Sequence, residues 1–279
     1  MRREAAATAE RNLQIVARIK EVKAAHPFWG YRRMWAYLKY VGNLEINKKR
    51  VYRLMHKHGL LVQADTKLKA KRTSGRSKPR PDRPNQWWGT DMTKMMVAGF
   101  GWMYITVVLD WHTKKIVGYY VGEQCRGNHW LEALNEAVNL QFPDGVRDHG
   151  LNLMSDNGSQ PTSVAYMKAC KDMGIHQAFT SYNNPKGNAD TERVFRTMKE
   201  ELLWLTEWTS PFELEDALKA WIQYYNEEYP HSTLAYKSPN KFEKEYWKNQ
   251  LTLLNTLDLM GGHYKPSSFS KSLRKTVLF

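Results

Sequence analysis

The sequence predicts a mixed α/β core, a sheet flanked by helices, preceded by a small all-α helix-turn-helix-like domain, and three observations carry that expectation. Charge is segregated: residues 1–86 hold 22 Lys and Arg against 6 Asp and Glu, whereas residues 87–279 hold 20 against 22. Hydrophobic periodicity changes at Trp87 from a helical to a strand pattern. Beyond that point apolar runs follow the order strand, strand, strand, helix, strand, helix, strand, helices, which is a mixed α/β order.

In the basic third, Leu13, Val16, Ile19 and Val22 recur three apart and predict a helix over residues 8–25, which Pro27 follows. Residues 31–38 form a second helix closed by Gly42. Asn47 caps a third, residues 48–58, and Gly59 terminates it. There Val51, Leu54 and Met55 share one face, and Lys49, Arg50, Arg53 and Lys57 crowd the others, so the helix can pack while offering cations to a DNA groove. Residues 65–86 interleave eight Lys and Arg with Gly, Ser and Pro, without hydrophobic periodicity, and read as a basic linker that also meets DNA.

In the remainder, residues 86–92, 103–109 and 116–121 are β-branched and aromatic runs joined by short turns, predicting an antiparallel meander. A helix over 128–140, a strand over 151–155, a helix over 163–173 and a strand over 176–180 follow. After the loop 181–188 come helices over 190–204 and 213–228. The expected domains are 1–64, the linker 65–86, a core at 87–245 and a C-terminal extension, 246–279, without a functional reading.

Composition excludes several classes. No run approaches the ~18 apolar residues of a membrane helix, and the first residues do not resemble a secretion signal, so a cytoplasmic location is expected. Cys125 and Cys170 stand far apart with no zinc-ligand spacing and read as buried thiols. His56 and His58 read as solvated histidines of a basic face. A basic segment joined to a near-neutral one points to a polyanion, nucleic acid first and an anionic membrane surface second. Trp87 and Trp88, beside a strand, read as core residues before base-stacking ones.

Three acids stand out by position. Asp91 falls late in the first strand, Asp156 follows the strand over 151–155, and Glu192 lies in the first turn of a helix behind a Gly-containing loop. Three carboxylates suffice to hold two hard divalent cations for phosphodiester chemistry, although an Asp after a strand is more often a turn residue. At about 100° per residue, Arg196 and Lys199 share the Glu192 face, while Val194, Phe195, Met198 and Leu202 form a separate apolar stripe. An i, i+4 pair between Glu192 and Arg196 is the plainer alternative.

At these residues the chain resembles the orfB-type transposases of bacterial insertion sequences, whose catalytic core is similar to that of retroviral integrases. The matching pieces are His26-Pro27-Phe28-Trp29-Gly30-Tyr31-Arg32-Arg33, Asn47-Lys48-Lys49-Arg50-Val51-Tyr52-Arg53-Leu54-Met55, Trp88-Gly89-Thr90-Asp91-Met92-Thr93, Val107-Val108-Leu109-Asp110, Ser155-Asp156-Asn157-Gly158-Ser159-Gln160, Gly187-Asn188-Ala189-Asp190-Thr191-Glu192-Arg193-Val194-Phe195 and Tyr225-Asn226-Glu227-Glu228-Tyr229-Pro230-His231, followed by Ser238-Pro239 and Phe242. Asp156 and Glu192 are separated by 35 residues, the spacing that names the DD(35)E class. The resemblance implies a ribonuclease-H-like core in which Asp91, Asp156 and Glu192 are catalytic and bind two Mg²⁺ or Mn²⁺ ions. It implies DNA contacts at Lys199 and Arg196, and the helical domain adds Arg32, Arg33, Lys48, Lys49, Arg50 and Arg53. It further implies in-line attack by water and then by a DNA 3′-hydroxyl, with no covalent protein intermediate. Expected partners are insertion-sequence ends and target DNA, further copies of the chain, and an upstream-frame product, separate or fused. The expected setting is the nucleoid, without a membrane. The sequence departs from the family pattern at Pro161-Thr162, where an aromatic residue is usual, and at Tyr229, where Arg is common. A DNA-binding protein with a silent core and a nuclease that cuts without joining are the competing readings.

Overall fold

The structure, a computed structural model, describes residues 6–62, 79–180 and 187–259. Residues 65–78 of the expected linker, 181–186 of the loop before Glu192 and 260–279 of the C-terminal extension lie outside them.

Helices α1 (Ala6–Ala25), α2 (Tyr31–Tyr40) and α3 (Lys48–Lys57) form the N-terminal region. The Asn47 side chain accepts the Arg50 N–H at 2.8 Å and opens α3, as its capping role requires. Val16, Ile19 and Val22 of α1 are buried against Met34 and Leu38 of α2 and Val51, Leu54 and Met55 of α3. Leu13, expected on that stripe, is exposed, although its neighbour Asn12 accepts hydrogen bonds from Arg50 of α3.

The core is a five-stranded sheet of β1 (Trp87–Val97), β2 (Gly101–Asp110), β3 (Ile116–Gly122), β4 (Asn152–Ser155) and β5 (His176–Phe179), in the order β3-β2-β1-β4-β5. The first three strands pair antiparallel; β4 joins β1, and β5 joins β4, in parallel. β1 runs five residues past its expected end because Thr93 to Val97 keep pairing with β2 up to the hairpin tip. Asp91 is therefore a mid-strand residue.

Helices α4 (Gly127–Gln141) and α5 (Val164–Asp172) cover one face, burying Trp130, Leu134, Tyr166 and Cys170 against Trp88, Val108 and Leu153. The alternate side chains Val107, Leu109 and Trp111 point to the opposite face, where α6 (Ala189–Met198) and α7 (Pro211–Glu227) supply Val194, Phe195, Met198, Leu214, Leu218 and Trp221. α6 does not continue as the regular helix expected to residue 204: Lys199–Leu203 is a π-helical turn. A last helix, α8 (Pro239–Leu259), has no counterpart in the sequence reading. No helix among the described residues is long and apolar enough to cross a membrane.

Of the two thiols, Cys170 is buried as expected. Cys125 is only half-buried, since it follows β3 at the sheet rim, where its sulfur accepts the Trp130 Nε1–H at 3.2 Å.

The N-terminal helices share one apolar cluster with the α6–α7 side of the sheet. At the junction His26 stacks on Trp29, ring centroids 4.0 Å apart, with Tyr224 on its other side at 5.5 Å. Burial and then the Arg33 charge hold its imidazole down to about 4. A folded-state value below the unfolded one gives a contribution that is complete above about pH 6.5 and lost as pH falls toward 4. His26→Phe, which keeps the stacking but not the titration, is therefore expected to gain Tm relative to wild type progressively from pH 6.5 to 4, read by thermal melts across that window; a constant difference would remove His26 as the cause.

Candidate active site

Two of the three acids are set by the parallel pairing of β1 and β4. Gly89 stands opposite Met154 in that register, so two further steps along each chain bring Asp91 level with Asp156, just past the end of β4. Because side chains alternate with a period of two, both acids leave the same face, on chains about 4.8 Å apart. One Asp91 oxygen accepts the Met92 N–H at 2.8 Å, and one Asp156 oxygen accepts the Gly158 N–H at 3.0 Å. Each acid is thus oriented by a backbone amide. A Cβ at Gly158 would stand 2.9 Å from that Asp156 oxygen, so the bare glycine suits the turn.

Glu192 is exposed in the first turn of α6, whose start is fastened to β1 and to the β2–β3 turn. The Asn188 side-chain amide donates to the Thr90 carbonyl at 3.1 Å, and Trp111 Nε1–H donates to Thr191 Oγ1 at 3.4 Å. Lys114 pairs with Asp190 at 2.7 Å. This approach requires Gly89: a Cβ there would lie 2.3 Å from both Thr191 Oγ1 and Trp111 Nε1, and 2.7 Å from Asn188 Oδ1. Sequence reasoning quoted Gly89, Asn188, Asp190 and Thr191 only as parts of the matching motifs and gave them no structural role, and it did not pair Lys114 with Asp190. The one signal for them was a glycine inside a β-branched and aromatic run.

Burial pushes the Asp91 carboxyl up to about 6, and the nearby charges of Asp156 and Glu192 add to that rise, against the Met92 N–H and Lys199. Asp156, Glu192 and Lys199 therefore lie within electrostatic reach of Asp91. Mutually repelling oxygen donors with little else to neutralise them are chemically suited to a hard divalent cation. Among the described residues, no three His, Cys, Asp or Glu side chains are already gathered as a metal cage.

The expected DNA-contact residues divide. Lys49 and Arg53 are exposed on α3 beside exposed Tyr52, and Arg32 is exposed on α2. Lys48 is half-buried over the Trp35 ring at 4.5 Å, and Arg50 donates to the Asn12 side chain at 2.7 and 3.0 Å. Arg196 pairs with Glu200 at 2.8 Å rather than with Glu192. Arg33 turns inward, 3.3 Å from the buried Glu201. His56 and His58 are exposed. Trp88 is fully buried and Trp87 is half-buried, stacked on Trp111 at 5.8 Å.

Residues 81–185 match the integrase core domain family, residues 173–239 match a second integrase core domain family, and residues 10–67 match the HTH-like domain family. The transposase for insertion sequence element IS904 of Lactococcus lactis is 31% identical over 209 residues, spanning 71% of this chain and 81% of that protein. The putative transposase InsK for insertion sequence element IS150 of Escherichia coli is 32% identical over 209 residues, 71% of each chain. Among solved structures, a chain of the simian T-cell lymphotropic virus intasome in complex with PP2A regulatory subunit B56 gamma superposes with a TM-score of 0.50 at 14% identity, covering 81% of this chain and 74% of that one. That likeness is one of fold.

The Gly89 contact generates a prediction. Gly89→Ala forces Thr191 and Trp111 away from β1, and a loss of about 1–3 kcal/mol is expected from such overpacking, read from urea midpoints. Adding Thr191→Ala should restore part of it; a Gly89→Ala protein as stable as wild type would show that α6 does not need this approach.

Proposed function

Because the chain belongs to the insertion-sequence transposases that carry an integrase core domain, and is thus a DNA transposase, a polynucleotidyl transferase, we propose that Asp91, Asp156 and Glu192 are its catalytic carboxylates. The observation that supports this reading is the β1–β4 register, in which Gly89 and Met154 stand opposite each other two residues before Asp91 and Asp156, together with the fastening of the Glu192 helix to the same strand.

Two Mg²⁺ or Mn²⁺ ions held by these three side chains would supply Lewis-acid stabilisation of the attacking and leaving oxygens. The chain's own part is positioning. The amide-oriented oxygens of Asp91 and Asp156 fix the near side of the site, and Glu192 closes it from an anchored helix. Lys199, close enough to lower the Asp91 carboxyl, offers its ammonium to a phosphate oxygen of the DNA. In the first step a water oxygen bonds to phosphorus at the insertion-sequence end and the bond to the 3′ oxygen breaks. The water proton passes to solvent and the departing oxygen is protonated, leaving a free 3′-hydroxyl. That hydroxyl then attacks a target phosphodiester in the same sense. Its oxygen bonds to the target phosphorus as it loses its proton to solvent, the target's own bond to its 3′ oxygen breaks, and that oxygen leaves as a protonated 3′-hydroxyl, so the strands are joined.

The N-terminal helices hold the DNA through Arg32, Lys49 and Arg53, with Lys48 and Arg50 reaching it from partly buried positions. The assembly works as a homo-oligomer on paired ends and target, with an upstream-frame product separate or fused, in the cytoplasm at the nucleoid.

Glu192→Gln keeps the side chain's size but removes its charge. With labelled insertion-sequence ends and Mg²⁺ or Mn²⁺, cleavage and joining are expected to fall by about 10³-fold or more while DNA affinity stays within a few-fold. Equal binding and no reaction by either protein, even with the upstream product added, would make the chain a non-catalytic DNA-binding protein. Lys49→Ala and Arg53→Ala together should weaken binding across sequences and reduce the slope of log affinity against log salt by about 2, measured by anisotropy titrations; an unchanged slope would move the DNA elsewhere.

A further inference from the structure

The segment that carries the exposed Glu192 has a buried carboxylate at its other end. Glu201 lies in the π-helical turn that follows α6, and its side chain is 2% exposed. One carboxylate oxygen accepts the Trp29 Nε1–H at 2.8 Å, the Tyr229 hydroxyl at 3.2 Å and the Arg33 guanidinium at 3.3 Å. The other faces His26 Nδ1 at 3.9 Å, and among the described residues neither of those two atoms has a hydrogen-bond partner. The Arg33 guanidinium sits 4.7 Å from the Tyr229 ring centre and 5.7 Å from that of Trp29. Arg33 belongs to α2 and Trp29 to the turn that leads into it; Glu201 belongs to the core.

Glu192 is exposed on α6, whereas Glu201, nine positions on and inside the π turn, is buried against Trp29, Arg33 and Tyr229. One end of the segment carries a candidate catalytic acid and the other inserts into the DNA-binding region. The π turn also contains Lys199, whose charge acts on Asp91. Single π turns are uncommon and recur at functional sites, and this one begins at Lys199 and contains Glu201. A carboxylate in this setting is tolerable only while its donors surround it. If the N-terminal helices leave, Glu201 must leave its pocket, and the turn holding Lys199 moves with it.

We propose that Glu201 is a positioning residue for strand cleavage and joining: through Trp29 and Arg33 it makes the placement of Lys199 and the Glu192 helix depend on the seating of the N-terminal DNA-binding helices. This rests on the catalytic reading of Glu192 above. It gives the chain a physical reason to react only when its DNA-binding region is in place.

The full chain as wild type, Glu201→Gln and Trp29→Phe is compared by two readouts. The first is amide hydrogen exchange. The expected result is exchange at least 10-fold faster over residues 189–203 in both variants, with β1–β3 unchanged. Exchange altered only in α1 and α2, or uniformly over the chain, overturns the proposal. The second is Mg²⁺-dependent cleavage of insertion-sequence ends, where kcat should fall about 10-fold or more with KM for DNA within 2-fold; a change confined to KM overturns it. Arg33→Met combined with Glu201→Gln should be no worse than the poorer single variant, whereas additive losses would mean the two act separately. If wild type does not cleave at all, the catalytic reading fails, and the exchange readout still decides whether Glu201 couples the two regions.

Discussion

The absence of one Cβ, at Gly89, is the constraint on which the rest of the site depends. Three groups from two other parts of the chain, Thr191 Oγ1, Trp111 Nε1 and Asn188 Oδ1, occupy the space that any other residue's Cβ would need. That close approach brings the first turn of α6 onto β1 two residues before Asp91, and it turns a sheet with helices beside it into one with a helix fastened to a chosen strand position. The Asn188 to Thr90 and Trp111 to Thr191 hydrogen bonds then fix the angle at which α6 leaves. Lys114–Asp190 adds an ion pair with both members partly sheltered from solvent, which is screened less than a surface pair would be. Without this approach Glu192 would ride on a helix held only by apolar contacts, and those tolerate sliding.

The far end of the same segment is held by the opposite kind of contact. Where Gly89 permits approach by lacking atoms, Glu201 enforces it by bringing a charge that cannot be left unpaired. Breaking a buried ion pair by removing one partner typically costs about 3–5 kcal/mol, a large fraction of a domain's stability. Such a contact is close to all-or-none, unlike the graded loosening of an apolar interface. The segment from Glu192 to Leu203 is therefore clamped at both ends, on a strand at one and on the N-terminal helices at the other.

Much of this fold was legible in the sequence, for reasons that also explain what was not. Period-three apolar spacing in α1 and the polar cap at Asn47 are local signals, and the elements they announce appear within a few residues of their expected ends. β1 was read too short because Lys94, Met95 and Met96 lack the β-branched character of a strand; their extended conformation comes from pairing with β2, which is a tertiary effect. The π turn was invisible because Lys199 to Leu203 are good helix formers, and nothing local in them departs from a regular helix. At the site, Asp91, Asp156 and Glu192 stood out through spacing and resemblance. Arg33 was grouped with outward-facing cations because sequence gives charge without direction; its face is set by Trp29 and Tyr229, the latter 196 positions away.

Charge segregation along the chain fits this geometry. Carboxylates whose charges act on one another repel a polyanion, so the near-neutral region bearing Asp91, Asp156 and Glu192 is less suited than the basic third to attract DNA through its own field. A near-neutral core paired with a strongly basic N-terminal third divides the two tasks, and the division raises a question of timing that electrostatics alone does not answer. A basic module attached by a flexible tether would capture DNA equally well whether or not the acids behind it were aligned. A module seated on Glu201 differs, because its own packing is among the conditions for the Glu192 helix to be in place. Capture and alignment then share one structural element, and neither the charge excess nor the carboxylates could supply that coupling separately.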